Sequence, residues 1–314
     1  MSITVVLQQM VMIFILIGIG LLLYKKEMLS EMTSKQISGI IVNVTNPALL
    51  ICSAFQDGPK VSLQELGMAL GIYLIVYIIL IAVSFLIPRI LRVPDMYRYA
   101  YQMLTIFGNV GFIGIPLASA VLGTQSLIFV SIYNLIFNIL IYTFGISLLQ
   151  KAAAKQSPNS DMPVTSPVWK KLINAGTISA VATIIFYLSD FSVPAIVPST
   201  LNYIGQATTL LSMLVLGVSV AQMAPKDIFS HPKLYVFTFL RQLLLPIGCI
   251  LLLGPFTQNP LILNTMALML AVPAANMPLM LSKQLHVDTD TISQGIILTT
   301  ILSLVTIPVV SFFL

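Results

Sequence analysis

Apolar runs of about 20 residues, the length that carries a helix across the hydrocarbon core of a bilayer, follow one another along this sequence with short polar interruptions. We place them at 4–23, 35–55, 65–87, 97–121, 124–149, 170–188, 199–222, 233–253, 262–283 and 289–313, ten spans in all. Lipid offers no partner to a bare N–H or C=O, so such runs fold as helices. The expected class is an all-α polytopic membrane protein. Only 8% of the 314 residues are charged, against about a quarter in water-soluble domains, which excludes an ordinary soluble fold. Met1 to Gln9 lacks a basic leader and the first run is long enough to cross, so an uncleaved first helix is expected.

The net charge of +5 does not point to nucleic acid, because the basic residues sit in small clusters between the spans. Lys25, Lys26 and Lys35 lie between the first two, Arg89, Arg92 and Arg98 between the third and fourth, and Lys151, Lys155, Lys170 and Lys171 between the fifth and sixth. Lys226 and Lys233 follow the seventh span and Lys283 the ninth, against Lys60 alone on the opposite side. Cytoplasmic loops carry the Lys and Arg excess. The expected topology is therefore multi-pass in the plasma membrane with both termini on the outer, extracellular or periplasmic face.

Residues 150–169, with Ser157, Pro158, Asn159, Ser160 and Asp161, read as a cytoplasmic linker. It separates a first five-span unit, 1–149, from a second, 170–314. Five being odd, the second unit enters the membrane from the opposite side. If the two share a fold they form a 5+5 inverted repeat, the architecture of many secondary transporters.

Two spans are broken at corresponding places. The fourth holds Gly108-Asn109-Val110-Gly111-Phe112-Ile113-Gly114-Ile115-Pro116, and the ninth holds Ala271-Val272-Pro273-Ala274-Ala275-Asn276-Met277-Pro278. Asn109 stands fifteen residues before Thr124 and Pro273 fifteen before Asp288, where the next spans begin. Proline removes a backbone donor and glycine permits the turn. Unwound chain survives in lipid only against protein, water or a ligand. Two breaks crossing at mid-membrane would set half-helix N-termini, each carrying roughly half a positive charge, around a pocket that favours an anion. The second span, with Pro47, is also expected to be interrupted. Proline kinks with glycines for close packing are the plainer reading of any one of these spans.

These motifs, together with Asn43 to Pro47 followed by Leu49 and Leu50, and Arg241-Gln242-Leu243-Leu244-Leu245-Pro246, resemble the auxin efflux carrier family in its short-linker bacterial form, described as malate or malonate permeases. The resemblance covers nearly the whole chain. It implies ten helices in a 5+5 inverted repeat, crossed broken helices four and nine, elevator-like movement of a transport domain, and dimers formed through the scaffold. The sequence departs from the family at Gly176, where relatives carry Asn-Pro, and in a linker too short for the plant carriers' regulatory loop; auxin is accordingly a poor guess for the substrate.

The candidate substrate-binding residues are Asn109, Gly111, Pro116, Pro273 and Asn276 in the breaks, Asn43 and Asn46 in the second span, Tyr133 in the fifth, chosen from the resemblance, and Arg241. Arg241 is the one charge well inside a span. It either meets an anionic substrate, snorkels to the cytoplasmic interface, or caps carbonyls of a neighbouring broken helix. All ten carboxylates fall in loops or at span ends, which argues against a buried acidic relay or a sodium site built on Asp or Glu. Cys52, Cys249, His231 and His286 lack metal-ligand spacing, so no metal or cofactor is expected. No nucleophile–base set, intramembrane aspartate pair or His-Glu-x-x-His motif supports an enzyme. The leading expectation is a secondary transporter for a small mono- or dicarboxylate such as malate or malonate. An anion channel or a membrane receptor built on the same cavity is the alternative.

Overall fold

The computed structural model describes residues 3–55, 61–156, 168–189, 193–222, 232–285, 287 and 289–314. The centre of the expected linker, Ser157 to Asp161, lies outside them. So do Lys60, Lys226, both histidines, and Asp57, Asp190, Asp227 and Asp288.

Among the described residues the chain is all helical, and seven helices are long and apolar enough to cross a membrane. These are α1 (Ile3–Lys25), α2 (Glu31–Ser53), α3 (Leu63–Ile90), α6 (Thr124–Gln156), α8 (Ile196–Ala221), α9 (Pro232–Phe256) and α12 (Asp290–Ser311). Shorter segments fill the remaining places: α4 (Arg98–Ile106), α5 (Val110–Leu122), α7 (Ala175–Leu188), α10 (Pro260–Ala271) and α11 (Met277–Gln284). The expected fourth and ninth spans are the pairs α4/α5 and α10/α11, each divided by a non-helical step.

Two boundaries differ from expectation for local reasons. The second span is not interrupted: α2 runs through Pro47 and absorbs it in a π turn at Ile41–Thr45, a wider loop that relieves the clash of a proline ring with the preceding turn. The fifth span continues past 149 to Gln156, because Lys151 to Gln156 are good helix formers with no breaker among them. On the other side of the linker, Asn174 caps α7, its side chain accepting from the Thr177 amide at 3.0 Å.

Every residue of α4 from Tyr99 to Ile106 is buried, Gln102 and Thr105 included, as are the last two turns of α10 from Thr265 to Ala271, so these two segments form the centre of the bundle. Around them α8 packs against α1 and α2, α7 against α2 and α6, and α12 against α1, α4, α9 and α10. Loop contacts join ends that the charge asymmetry assigns to one side. Lys233 Nζ donates to the Arg92 carbonyl at 2.9 Å, and on the other side Asn259 Nδ2 donates to Glu65 Oε1 at 2.8 Å. Glu65 also completes a capping box with Ser62 that starts α3.

Candidate functional site

The two breaks meet. Phe107 leaves α4 in extended conformation (φ −104°, ψ 95°), and Val272 leaves α10 likewise (φ −58°, ψ 148°), as a residue before proline must. They form an antiparallel bridge between Gly108 and Ala274. The Asn109 amide donates to the Pro273 carbonyl at 2.7 Å, and the Ala275 amide donates to the Phe107 carbonyl at 2.9 Å. Backbone groups that the helices abandon thus satisfy one another, which is what makes irregular chain tolerable at this depth. Gly108 permits the approach: a Cβ there would stand 2.9 Å from Arg241 Nη2 and 3.1 Å from Val272 Cγ2.

Past the bridge each chain re-enters a helix through an asparagine. Asn109 caps α5, its Oδ1 accepting from the Phe112 amide at 3.1 Å. Its Nδ2 is buried without a hydrogen-bond partner. Asn46 reaches across from α2, Nδ2 donating to the Gly111 carbonyl at 3.0 Å, and its Oδ1 is again buried and unpartnered. Asn276 stands at the start of α11, partly exposed, with no side-chain cap bond. Pro278 has no N–H, so that first turn presents few amides, and they are uncapped. Pro116 is buried inside α5, Pro273 is buried at the bridge, and Gly111 is partly exposed.

Arg241 is 2% exposed and its head faces the bridge. Nη1 donates to the Leu270 carbonyl at 3.1 Å and to the Val272 carbonyl, two of the carbonyls that α10 leaves free where it ends. A cation at a helix C-terminus also meets the negative end of its dipole. Gln242, the next residue, continues the clamp, its Nε2 donating to the Ala271 carbonyl at 3.3 Å and to the Thr299 carbonyl at 3.1 Å. Thr299 Oγ1 accepts from the Ala274 amide at 3.1 Å. One arginine, one glutamine and one threonine, from α9 and α12, therefore hold the step between α10 and α11. Of the three roles open to Arg241 in the sequence, the hydrogen bonds realise the capping of a neighbouring broken helix. Gln242 was legible as a polar residue beside that arginine; Thr299 carried no signal.

Two of the named residues stand apart from the breaks. Asn43 is exposed and donates to the Gly39 carbonyl of its own helix at 2.8 Å. Tyr133 is buried in an aromatic cluster, its ring centroid 5.5 Å from Tyr73 and 4.9 Å from Tyr77. Asn138 turns to the opposite side of α6, where Gly176 leaves room for it: a Cβ at Gly176 would stand 3.2 Å from Asn138 Nδ2. The family departure at Gly176 is thus accommodated by a polar neighbour. All described carboxylates lie in turns or at helix starts, and Arg241 is the single buried charge among the described residues.

Comparison with known proteins places the chain in a family. Residues 5–311 match the family model described as membrane transport protein. An uncharacterised transporter, MJ1031 of Methanocaldococcus jannaschii, is 23% identical over 287 residues, covering 89% of this chain and 89% of its own. A match that begins in α1, ends in α12 and takes in both breaks leaves no part of the bundle unaccounted for, and the chain belongs to the auxin efflux carrier family of membrane transport proteins.

Proposed function

We propose that this chain is a secondary transporter that carries a small organic anion, a mono- or dicarboxylate such as malate or malonate, across the plasma membrane. Family membership supports the transport role, and the bridged breaks support the site. Behind the proposal stands one observation: two half-helix starts, at Asn109 and Asn276, lie beside a backbone bridge. Their dipoles turn positive ends toward a common region, and the charge of Arg241 adds to the potential there. Small carboxylates suit such a pocket because amides and asparagines donate to both of their oxygens.

In this reading the ten spans form two five-span units, 1–149 and 170–314, related by inversion, with the α4/α5 and α10/α11 spans crossing. The bridged core shifts as an elevator against the helices that carry Asn46, exposing the pocket to each side in turn. Both termini face outward, and two copies associate through the scaffold. Substrate contact falls to Asn109, Gly111 and Asn276, while Asn46 steadies the α5 start through its bond to the Gly111 carbonyl; Pro116 and Pro273 shape the breaks, and Arg241 holds α10 in place.

Uptake of labelled malate and malonate into proteoliposomes tests the proposal. Saturable uptake with counterflow is expected; unsaturated anion conductance would establish the channel alternative, and indifference to every carboxylate offered would refute the organic-anion reading. Asn276→Ala should leave the melting temperature unchanged, since the side chain makes no cap bond. It should raise the apparent KM about 10- to 100-fold, the equivalent of a hydrogen bond to a charged group worth about 1.5–3 kcal/mol. An unaltered KM would remove Asn276 from the site.

A further inference from the structure

Buried hydroxyls in this bundle commonly donate to the carbonyl four residues earlier on their own helix. Thr105 does so to Tyr101 at 2.7 Å, Ser131 to Leu127 at 2.8 Å, Thr183 to Ser179 at 2.7 Å and Thr300 to Ile296 at 2.7 Å. Along the seam between α2 and α8 that habit fails. Thr45 Oγ1, Thr208 Oγ1 and Ser212 Oγ are all buried without a partner, and so is Asn46 Oδ1. Thr265, Ser282 and Thr306 behave likewise, but each stands alone on its own helix.

Three of the four oxygens fall at one level of the seam, and Ser212 stands one turn farther along α8. A Cβ on Gly205 of α8 would meet Leu49 Cα of α2 at 2.9 Å, and Cys52 Sγ lies 3.5 Å from the Pro198 carbonyl. These two contacts set α2 and α8 antiparallel. Thr208 and Ser212 follow Gly205 by three and seven residues, on the same helical face, while Asn46 and Thr45 precede Leu49 by three and four. Thr45, Asn46, Thr208 and Ser212 are 4%, 7%, 0% and 0% exposed. The π turn also frees a backbone carbonyl one turn before Asn46. The Asn46 amide is bonded to the Ile41 carbonyl and Pro47 has no N–H, so the Val42 carbonyl is left without a donor from its own helix.

We propose that these oxygens form a binding site for a sodium-class monovalent cation. Every ligand is a neutral hydroxyl, amide or carbonyl oxygen, the hard donors such an ion takes. Calcium and magnesium are excluded by the lack of a carboxylate to balance two charges. Asn46 has its nitrogen committed to Gly111, which leaves its buried oxygen as the end free to coordinate. Bare oxygens in a dry interior are costly, and coordination recovers that cost. The cation would bind with no organic anion present, so its test does not depend on the transport proposal.

The test is thermal unfolding of the purified full chain in choline chloride, exchanged at constant ionic strength for sodium or potassium chloride. Sodium should raise the melting temperature saturably, by linkage to the folded state. In the double variant Thr208→Val, Ser212→Ala the sodium concentration for half the effect should rise at least ~10-fold, the scale on which lost metal-site partners act. Its melting temperature in choline should hold or rise, since two of the bare buried hydroxyls are gone. Thr45→Val alone carries the same expectation if the double variant cannot be purified. Identical melting in sodium and choline would mean the oxygens hold water only and would overturn the proposal. So would an equal response to potassium at every concentration, which marks a general salt effect, or a wild-type sodium response in the variants.

Discussion

Arg241→Ala should abolish substrate uptake and lower the melting temperature of the purified protein together. The side chain is buried and its Nη1 serves the Leu270 and Val272 carbonyls. Alanine leaves both in a dry interior, at about 1–3 kcal/mol each, and takes away the charge that offsets the end of α10. The step from α10 to α11 depends on those bonds, so the bridge to Phe107 and Asn109 loses its support on one side. Arg241→Lys should be intermediate: an ammonium keeps the charge but has no planar fork to span two carbonyls. Melting curves in detergent and uptake in proteoliposomes give the two readouts. An alanine variant that melts like the wild type yet transports nothing would show that Arg241 acts on the substrate instead of on the helix end.

Gly217→Ala should be nearly as damaging although it lies far from the breaks. A Cβ at Gly217 would fall on the Ile17 carbonyl, and 2.6 Å from the Leu21 amide nitrogen of α1. Gly20 makes the reciprocal contact with the Leu214 backbone of α8. Backbone cannot swing aside as a side chain does, so α1 and α8 must separate along their length, in a setting where close packing of small residues is the main attraction between helices. A loss at the upper end of about 1–3 kcal/mol is expected, against a gain of no more than about 1 kcal/mol in helix propensity. Gly67→Ala and Gly71→Ala on α3 supply the contrast. Nothing lies within 4 Å of a Cβ at either position, so they should be neutral or slightly stabilising. Equal melting of all three variants would disprove the tight α1–α8 seam.

The breaks were legible because their chemistry is local. A proline without an N–H and a glycine without a side chain announce a gap wherever they stand, and Asn109 and Pro273 mark the two strands of the bridge. Pro47 carried the same signal and misled, since a π turn can absorb a proline that the residues around it still hold in a helix. Asn43 and Asn46 are three apart and look alike in sequence; only packing against α5 and α8 turns one inward and leaves the other outside. The eighth-span arginine was conspicuous as a buried charge, but its partner carbonyls come from another helix thirty residues on, a distance no periodicity reports. Thr208 and Ser212 carried no signal at all: a hydroxyl in an apolar helix ordinarily bonds its own turn, and the exceptions appear only when that bond is seen to be missing.

The bridge between Gly108 and Ala274 has a consequence for biosynthesis. Its two strands belong to opposite halves of the chain, and the first leaves the ribosome long before the second exists. Until the later strand arrives, the polar groups of Phe107 and Asn109 must be kept wet, by the insertion channel or by a water-filled gap. Neither half can therefore complete its own interior, and a nascent chain stalled in the middle would present the quality-control machinery with an unsealed seam.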